Sequence, residues 1–461
     1  MQPPRLEGKK VTVVGLAKSG VAAARLAARE GARVTVTDRR SEAELAGPLA
    51  ALAGAAARRV LGGHDAADFE GADLVVASPG VPLSIAEIAR ARARGVPVWG
   101  EIELGARFLG RTPVVAITGT NGKSTTTALA GALLARDRRT FTGGNLGTPL
   151  CDHVLSGAPA DAAVLELSSF QIEGISELRP HVAAILNVTP DHLDRYRDVE
   201  DYAAAKARLF GRQQPGDAAI ANARDARAVA MAAASRGAVY TFGFGPPADD
   251  AARDAGGEPG PAGAELWVRI AAAPERYLVR NRALRGRHNR ENAMAAVLCA
   301  RLAGAPGDAV QAGLDAFPGL PHRLELVSER AGVEWVNDSK ATNVDSTSVG
   351  LAAFPAGVSR VVLIMGGRGK GAPYAPLRTL FPSRVKALLT IGEDAPAVEA
   401  QLGDLCPTEG CGTLAAAVRR AARLAAPGDV VLLSPACASY DQYRSYEERG
   451  EAFRRLAAEV A

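Results

Sequence analysis

Short apolar runs alternate with longer helix-forming stretches along the whole chain. The first run, Val11–Val14, enters a glycine-bearing turn at Gly15–Gly20. A helix is predicted over Val21–Glu30 and a second strand over Arg33–Thr37. Strand, glycine turn, helix and strand make a βαβ unit. Asp73–Ala77, ending in Ser78-Pro79-Gly80, and Val96–Trp99 read as two further strands of this first unit. A second series opens with the buried strand Pro113–Ile117 and continues through Ala162–Leu167, Val182–Val188, Ala218–Ala221, Val239–Phe244 and Leu266–Ile270. A third has strands at Val333–Val336, Val361–Met365, Ala387–Ile391 and Asp429–Leu433, with a helix over Leu414–Ala425. Strands alternating with helices throughout predict an α/β architecture with mostly parallel sheets.

Residues 245–264 break this pattern. They are rich in Gly, Pro, Ala and Asp and poor in apolar residues, which predicts a loop or disordered insertion. Phe317–Pro321 reads as a hinge before the third unit. A chain of 461 residues is too long for one ordinary domain. The expected partition is 1–101, 102–319 and 320–461.

Composition narrows the classes. Hydrophobic residues at 48% and charged residues at 23% exclude disorder over most of the chain. A net charge of +4, with basic and acidic residues interspersed, excludes a nucleic-acid binder. Five cysteines (151, 299, 406, 411 and 437) are scattered in Ala/Leu-rich surroundings, which predicts buried free thiols in a reducing compartment and no zinc site. Lys18 and Arg25 interrupt the first apolar stretch, so it is no signal peptide, and no uncharged 18-residue apolar run occurs. A soluble, cytoplasmic protein without membrane insertion is expected. Of the 54 basic residues only eight are lysine: 9, 10, 18, 123, 206, 340, 370 and 386. Where arginine serves for charge alone, each remaining lysine hints at chemistry that arginine cannot supply.

The strongest local signal is Gly119-Thr-Asn-Gly-Lys-Ser124. A strand feeding a glycine turn and a helix aims backbone N–H groups and the helix N-terminus at one spot, which favours phosphate. Lys123 would reach the β/γ-phosphates and Ser124 would hold Mg²⁺. The first Gly of a full P-loop is missing, since its place falls at Ile117. Glu166 ends an apolar strand, at the sheet edge where α/β ligands bind, and could hold Mg²⁺. Asn187–Asp194 likewise follows a strand. Alone, His192 reads as a capping or satisfied polar group; with Glu166 and Lys123 at neighbouring strand ends, a metal–nucleotide site is the better reading. Lys206, in a helix-forming stretch, reads by itself as a solvated helix lysine. In the third unit, the polar cluster Asn337–Asn343, the turn Met365–Gly371 and Ser434–Ser439 each follow a strand and predict a second binding surface.

These strings together resemble the Mur ligases: GTNGKST (119–125), ELSSFQ (166–171), NVTPDHLDRY (187–196), HNREN (288–292), PHR (321–323), NDSKATN (337–343) and SPACASYDQY (434–443). The resemblance covers nearly the whole chain, in the right order. It implies a Rossmann-like N-terminal domain that binds a UDP-linked substrate, a central P-loop-type ATPase domain and a Rossmann-like C-terminal domain. It also implies an ATP-dependent ligase of peptidoglycan precursor synthesis, joining UDP-N-acetylmuramoyl-L-alanine to D-glutamate through an acyl phosphate. Such an enzyme serves cell-wall biogenesis, cell shape and division, and a monomer is expected.

The resemblance also distributes roles. Gly119, Thr120, Asn121, Gly122, Lys123, Ser124 and Thr125 would bind ATP, with Asn289, Asn292, His322, Arg323 and Asp338 lining the adenine, ribose and phosphate region. Ser124, Glu166, His192 and Lys206 would hold two Mg²⁺, with Lys206 carrying a CO₂-derived carbamate; Lys123, Glu166, His192 and Lys206 form the catalytic set. Lys18, Ser19, Asp38, Arg39, Ser78, Asn145 and Ser168 would contact the uridine-linked substrate. Lys340, Thr342, Lys370, Ser439 and Tyr446 would bind D-glutamate. Departures from the family pattern stand at Arg39, at Arg368-Gly369, and at Tyr374, Tyr443 and Tyr446, commonly Phe in the family. Alternatives are a sibling ligase adding another amino acid, a folylpolyglutamate-synthase-like ligase, for which the hundred residues before Pro113 are superfluous, and a non-enzymatic P-loop switch, which would need neither Glu166, His192 and Lys206 nor the third unit.

Overall fold

A computed structural model describes residues 3–56, 58–244, 255–260, 263–270 and 274–460. The chain forms two compact units. The first comprises residues 1–278 and 291–314, the second 279–290 and 315–461.

The first unit carries two sheets. In the N-terminal one, β1 (Lys10–Val14), β2 (Arg33–Asp38), β3 (Arg58–Leu61), β4 (Leu74–Ala77) and β5 (Val98–Gly100) run parallel in the order β3-β2-β1-β4-β5. The order reverses between β1 and β4, so a crevice opens beyond their carboxyl ends, where the turns at Gly15 and Ser78 lie. The predicted helix begins earlier than expected, at Lys18, and runs to Arg29 with its small apolar face buried.

The second sheet contains β6 (Val114–Thr118), β7 (Thr140–Gly144), β8 (Ala162–Glu166), β9 (Val182–Ile185), β10 (Ala218–Asn222), β11 (Ala238–Phe242), β12 (Ala255–Gly260), β13 (Gly263–Val268) and β14 (Glu275–Val279). Their order is β14-β13-β12-β11-β10-β9-β6-β8-β7. Strand β6 pairs in parallel with β8 on one side and β9 on the other. All five of its residues are buried, which explains its unbroken apolar run: both faces are covered. Each such Val or Ile stabilises the fold by roughly 1.5–3 kcal/mol through burial. The loops after β6, β8 and β9 therefore meet at one edge, bringing Gly119, Glu166 and Asn187 to the same end.

In the second unit, β15 (Glu325–Arg330), β16 (Val333–Asn337), β17 (Val361–Gly366), β18 (Val385–Ile391), β19 (Thr408–Gly412) and β20 (Val430–Leu433) form a sheet of order β15-β16-β20-β17-β18-β19. It is parallel except for β15, which pairs antiparallel with β16.

The main predicted strands are present, and six unpredicted ones join them: β3, β7, β12, β14, β15 and β19. Strands β3, β15 and β19 lie at sheet edges with partly exposed side chains, and β7 is an edge strand ending in two glycines. None carries the apolar run by which buried strands are recognised. The expected loop 245–264 is corrected in part. Residues 255–260 and 263–268 form an antiparallel hairpin, because ladder pairing can impose strand geometry where composition gives no cue; residues 245–254 and 261–262 lie outside the described residues. Phe317–Pro321 falls just inside the second unit. All five cysteines are free. Cys151, Cys299 and Cys437 are buried as expected, whereas Cys406 and Cys411, beside or within edge strand β19, are half-exposed. Among the described residues, no helix is long and apolar enough to cross a membrane.

Candidate active site

Beyond β1 and β4 the first unit holds a cleft of about 560 Å³. Its floor closes because residue 20 is glycine: a Cβ there would strike the Gly15 carbonyl and the Ser78 hydroxyl. Ser78 Oγ donates to that carbonyl at 2.7 Å and ties the two turns together. Lys18, Ser19, Asp38, Arg39, Ser78 and Asn145 all line the cleft. Lys18 Nζ donates to Gly147 O at 2.5 Å, from the N-terminal sheet's turn to the loop after β7.

Two predicted contacts are committed to the protein itself. Asp38 accepts from Leu16 N and Arg40 Nη2 on one oxygen, both at 2.7 Å, and from Arg40 N and Nε on the other, at 2.9 and 3.1 Å. Burial opposes its charge, but these bonds prevail and lower its pKa to about 2. Ser168 caps the helix Ser169–Glu173, accepting from Gln171 N at 3.2 Å. Gln171, from that helix, lines the cleft. Another unpredicted residue, Arg195, donates to Pro79 O at 3.0 Å and to Glu173 at 2.8 Å, joining the Ser78 turn to the middle sheet.

The turn after β6 has the expected form. Gly122 has a φ of 84°, and a Cβ there would strike Asn292 Oδ1. Asn292 thus packs against this turn and accepts from Thr126 Oγ1 at 3.3 Å. Asn121 and Asn187 exchange hydrogen bonds at 2.8 and 3.1 Å, and Thr120 Oγ1 donates to Thr189 O at 3.2 Å, so the loops after β6 and β9 hold each other. Ser124 and Thr125 lie in the first turn of the helix Lys123–Leu134, whose N-terminus favours an anion. Lys123 Nζ donates to Gly119 O and Thr120 O, both at 2.9 Å.

Glu166 is buried at the end of β8. Its Oε1 accepts from Asn145 Nδ2 at 2.7 Å, while Oε2 is buried without a hydrogen-bond partner. Lys206 corrects the reading of a solvated lysine: only 1% of it is exposed. Its helix, Val199–Ala207, turns it inward, where Nζ meets Gly119 O at 3.1 Å and the Tyr202 ring face at 4.5 Å. Burial, then repulsion from Lys123, lowers its pKa to about 7, against an opposing pull from Asp191. His192 adopts a positive φ of 54° and stands partly exposed against Phe170 and Tyr202. The Tyr202 ring therefore lies beside both Lys206 and His192.

Among the described residues, no three His, Cys, Asp or Glu side chains converge as a metal cage. Mg²⁺ commonly takes only one or two protein oxygens and completes its shell with phosphate and water. The unpartnered Glu166 Oε2, near a phosphate-type turn, suits such a shared ion.

In the second unit, Lys340 Nζ donates to Tyr446 Oη at 2.9 Å, and Ser439 is buried nearby in sequence. Thr342 N donates to Lys340 O at 2.8 Å. Lys370 stands exposed on the turn after β17, without a hydrogen bond of its own among the described residues. His322 has a φ of 63°, with Nδ1 3.0 Å from Asn337 Nδ2. Asp338 is buried, accepting from Ser434 Oγ at 2.8 Å and Leu324 N at 3.2 Å; burial outweighs these bonds and Arg323 and raises its pKa to about 7. Asn289 donates to Arg285 O at 3.1 Å. Arg449 went unnoticed in the sequence. Fully buried, it donates to Ser339 Oγ, Ser339 O and Cys437 O, each at 3.0 Å, and so holds the loops carrying Lys340 and Ser439 together. The departure at Tyr374 has a local reason: its hydroxyl donates to Asp394 and lies 3.0 Å from Cys437 Sγ.

A glycine turn entering a helix, an orphaned carboxylate and a buried lysine meet at one sheet edge, an arrangement suited to a nucleotide-dependent enzyme, and family models name the class. The Mur ligase MurD-like N-terminal domain matches residues 9–100, the Mur ligase middle domain 117–300 and the Mur ligase glutamate ligase domain 322–437. The chain belongs to the Mur ligase family. It is 76% identical to the UDP-N-acetylmuramoylalanine--D-glutamate ligase of Anaeromyxobacter dehalogenans (strain 2CP-C), with all of both chains covered. It is 54% identical to the ligase of the same name from Myxococcus xanthus (strain DK1622), over 98% of each chain. Among solved structures, MurF of Acinetobacter baumannii aligns with a TM-score of 0.63 at 20% identity, covering 98% of this chain and 94% of that one. MurC of Thermotoga maritima aligns with a TM-score of 0.59 at 19% identity, covering 98% of each. At these identities the structures attest the fold.

Proposed function

We propose that this chain joins D-glutamate to UDP-N-acetylmuramoyl-L-alanine in the cytoplasm, as a monomer, converting ATP to ADP and phosphate. One observation carries the reading: Asn145 lines the cleft and also donates to Glu166, so the cleft and the phosphate-binding edge share a side chain. The relatives named for this reaction match the chain end to end. The three domains would be 1–101, 102–319 and 320–461.

The alanyl carboxylate of the substrate attacks the γ-phosphorus of ATP, giving an acyl phosphate and ADP. The amine of D-glutamate then adds to the acyl carbon, loses a proton, and expels phosphate to leave the amide. The turn 119–125, with Asn289, Asn292, His322, Arg323 and Asp338, would bind ATP, and Lys123 would offset charge growing on the transferred phosphoryl group. Magnesium, when bound, would supply further charge neutralisation; Ser124, Glu166, His192 and Lys206 are the residues that would hold two ions. Neutral Lys206 Nζ is suited to add to CO₂ and, losing a proton, to become a carbamate. Lys18, Ser19, Arg39, Ser78 and Asn145 would hold the uridine-linked substrate, with Asp38 and Ser168 positioning its walls. Lys340, Thr342, Lys370, Ser439 and Tyr446 would hold D-glutamate. ADP release with UDP-N-acetylmuramoyl-L-alanine and each candidate amino acid tests this; faster turnover with L-glutamate or a diamino acid than with D-glutamate would overturn the specificity.

A further inference from the structure

At the carboxyl end of the second unit's sheet, three loops interlock. The turn after β17 carries Lys370, and the loop after β20 carries Ser439. The loop 392–394, after β18, holds none of the residues assigned above to a ligand. Strand β17 lies between β20 and β18, so its turn has a neighbour on either side. On one side Arg368 and Ala438 exchange backbone hydrogen bonds at 2.9 and 3.0 Å. On the other, Gly367 N donates to Ile391 O at 3.0 Å, and Asp394 N to Gly367 O at 2.9 Å.

Two glycines in these loops make room for carboxylates. A Cβ on Gly369 would strike the carboxyl group of Asp394, although the φ of Gly369 lies outside the left-handed region and does not itself call for glycine. A Cβ on Gly392 would strike Asp441 Oδ2, which accepts from Glu393 N at 3.2 Å. Asp441 of the β20 loop thus holds the β18 loop, and Asp394 of the β18 loop fills the space beside the β17 turn. The bridge between Arg368 and Ala438 closes the ring.

The orientation of Asp394 is unusual for its place. It stands at the N-cap of the helix Ala395–Leu402, where an aspartate ordinarily accepts from the first turn, yet its side chain caps nothing. Oδ2 accepts the Tyr374 hydroxyl instead. That hydroxyl has one proton, so Cys437 Sγ, 3.0 Å from Oη, is the donor of the second contact. Cys437 precedes Ser439 by two residues, so the carboxylate is also tied to the loop that carries Ser439.

We propose that Asp394 is a positioning residue for the amino-acid substrate: docked on Gly369, its carboxylate fixes the turn that presents Lys370 and keeps it in register with Ser439. Lys370 is exposed on a flexible stem, so its ammonium reaches one place reproducibly only if the turn beneath it is held. Asp394 acts through Gly369 and touches no reacting atom. This role rests on reading Lys370 and Ser439 as partners of D-glutamate.

Steady-state ADP release by the full-length chain, with each of the three substrates varied in turn, tests it. Asp394→Ala should raise KM for D-glutamate about tenfold or more, with kcat within about threefold of wild type. KM for ATP and for the uridine-linked substrate should stay within about twofold. Asp394→Asn keeps the shape and the acceptor for Tyr374, and should restore KM for D-glutamate to within about threefold of wild type. Gly369→Ala puts a methyl group against the carboxylate and should raise the same KM. In Gly369→Ala/Asp394→Ala the clash is gone, so the double variant should be no worse than Asp394→Ala alone. Gly369→Ala also keeps the test open if Asp394→Ala fails to fold. A wild-type KM for D-glutamate in Asp394→Ala or in Gly369→Ala overturns the assignment. So does an equal rise in all three KM values, the mark of general damage to the fold. A wild type that does not turn over D-glutamate sinks the substrate reading, and the role of Asp394 with it.

Discussion

Lys206 and Lys123 donate to the same carbonyl oxygen, that of Gly119, at 3.1 and 2.9 Å. Two ammonium groups on one acceptor repel each other, and Lys206 is also removed from water, so it is the one that yields its proton, near pH 7. Gly119 belongs to the turn proposed to bind phosphate, so an incoming phosphate would find Lys123 beside a lysine poised to lose its charge.

Between pH 7 and 10.5 the folded chain leaves Lys206 neutral while the unfolded chain keeps it protonated. Stability from this site therefore rises with pH through that window and is lowest below it. At constant dissolved CO₂, the carbamate signal in ¹³C NMR should grow from pH 6 to 8. Lys206→Arg should lack that signal and turn over about 100-fold more slowly or worse. Lys206→Met, freed of a buried charge, should be inactive yet melt higher than wild type at pH 6. Wild-type turnover in Lys206→Arg would refute the role.

Asn145 and Glu166 should behave as one unit. Removing the amide in Asn145→Ala leaves a buried carboxylate oxygen without its donor and should lower kcat/KM at least tenfold; Glu166→Gln should cost about 100-fold. In the double variant the losses should fall short of multiplying, with a coupling of about 1 kcal/mol or more. Strictly additive effects on steady-state ADP release would show that the 2.7 Å contact transmits nothing.

Asp38 should show up in acid stability. Its folded pKa of about 2 lies below the ordinary 3.8, so its contribution is present above pH 3.8 and vanishes as pH falls toward 2. With Arg40 partly exposed, that contribution is roughly 1–2 kcal/mol. Asp38→Asn should lose this at pH 7 and unfold with a flatter dependence on pH between 4 and 2, measured by urea titration. An unchanged pH profile would contradict the geometry.

Tyr374→Phe tests the departure in the second unit. The variant leaves Asp394 without the donated hydroxyl and should destabilise by about 1–2 kcal/mol, a fall of several degrees in melting temperature, with turnover retained. An unshifted melting curve would mean that this half-buried bond contributes nothing net.

Much of the candidate site was legible because parallel strands announce themselves. A buried strand reads as an apolar run, and in an α/β fold the residue just past it lies on the binding edge. Lys123 and Glu166 were found that way, whereas the role of Ser78 came from the family resemblance. Edge strands such as β3 and β19 were not, since half-solvated strands need no apolar run. Arg449 was passed over because charged residues on helices are ordinarily solvated.

The order of apolar runs and turns, by itself, determined the α/β class, the chain of strand ends and the residue types available there, because local pattern and backbone chemistry suffice for these. Only the tertiary structure decided that Lys206 is buried against Gly119 and that Asp38 is saturated by Leu16 and Arg40. Each depends on what a distant segment brings within hydrogen-bond reach, and on how much water that packing excludes. No spacing along the chain encodes either.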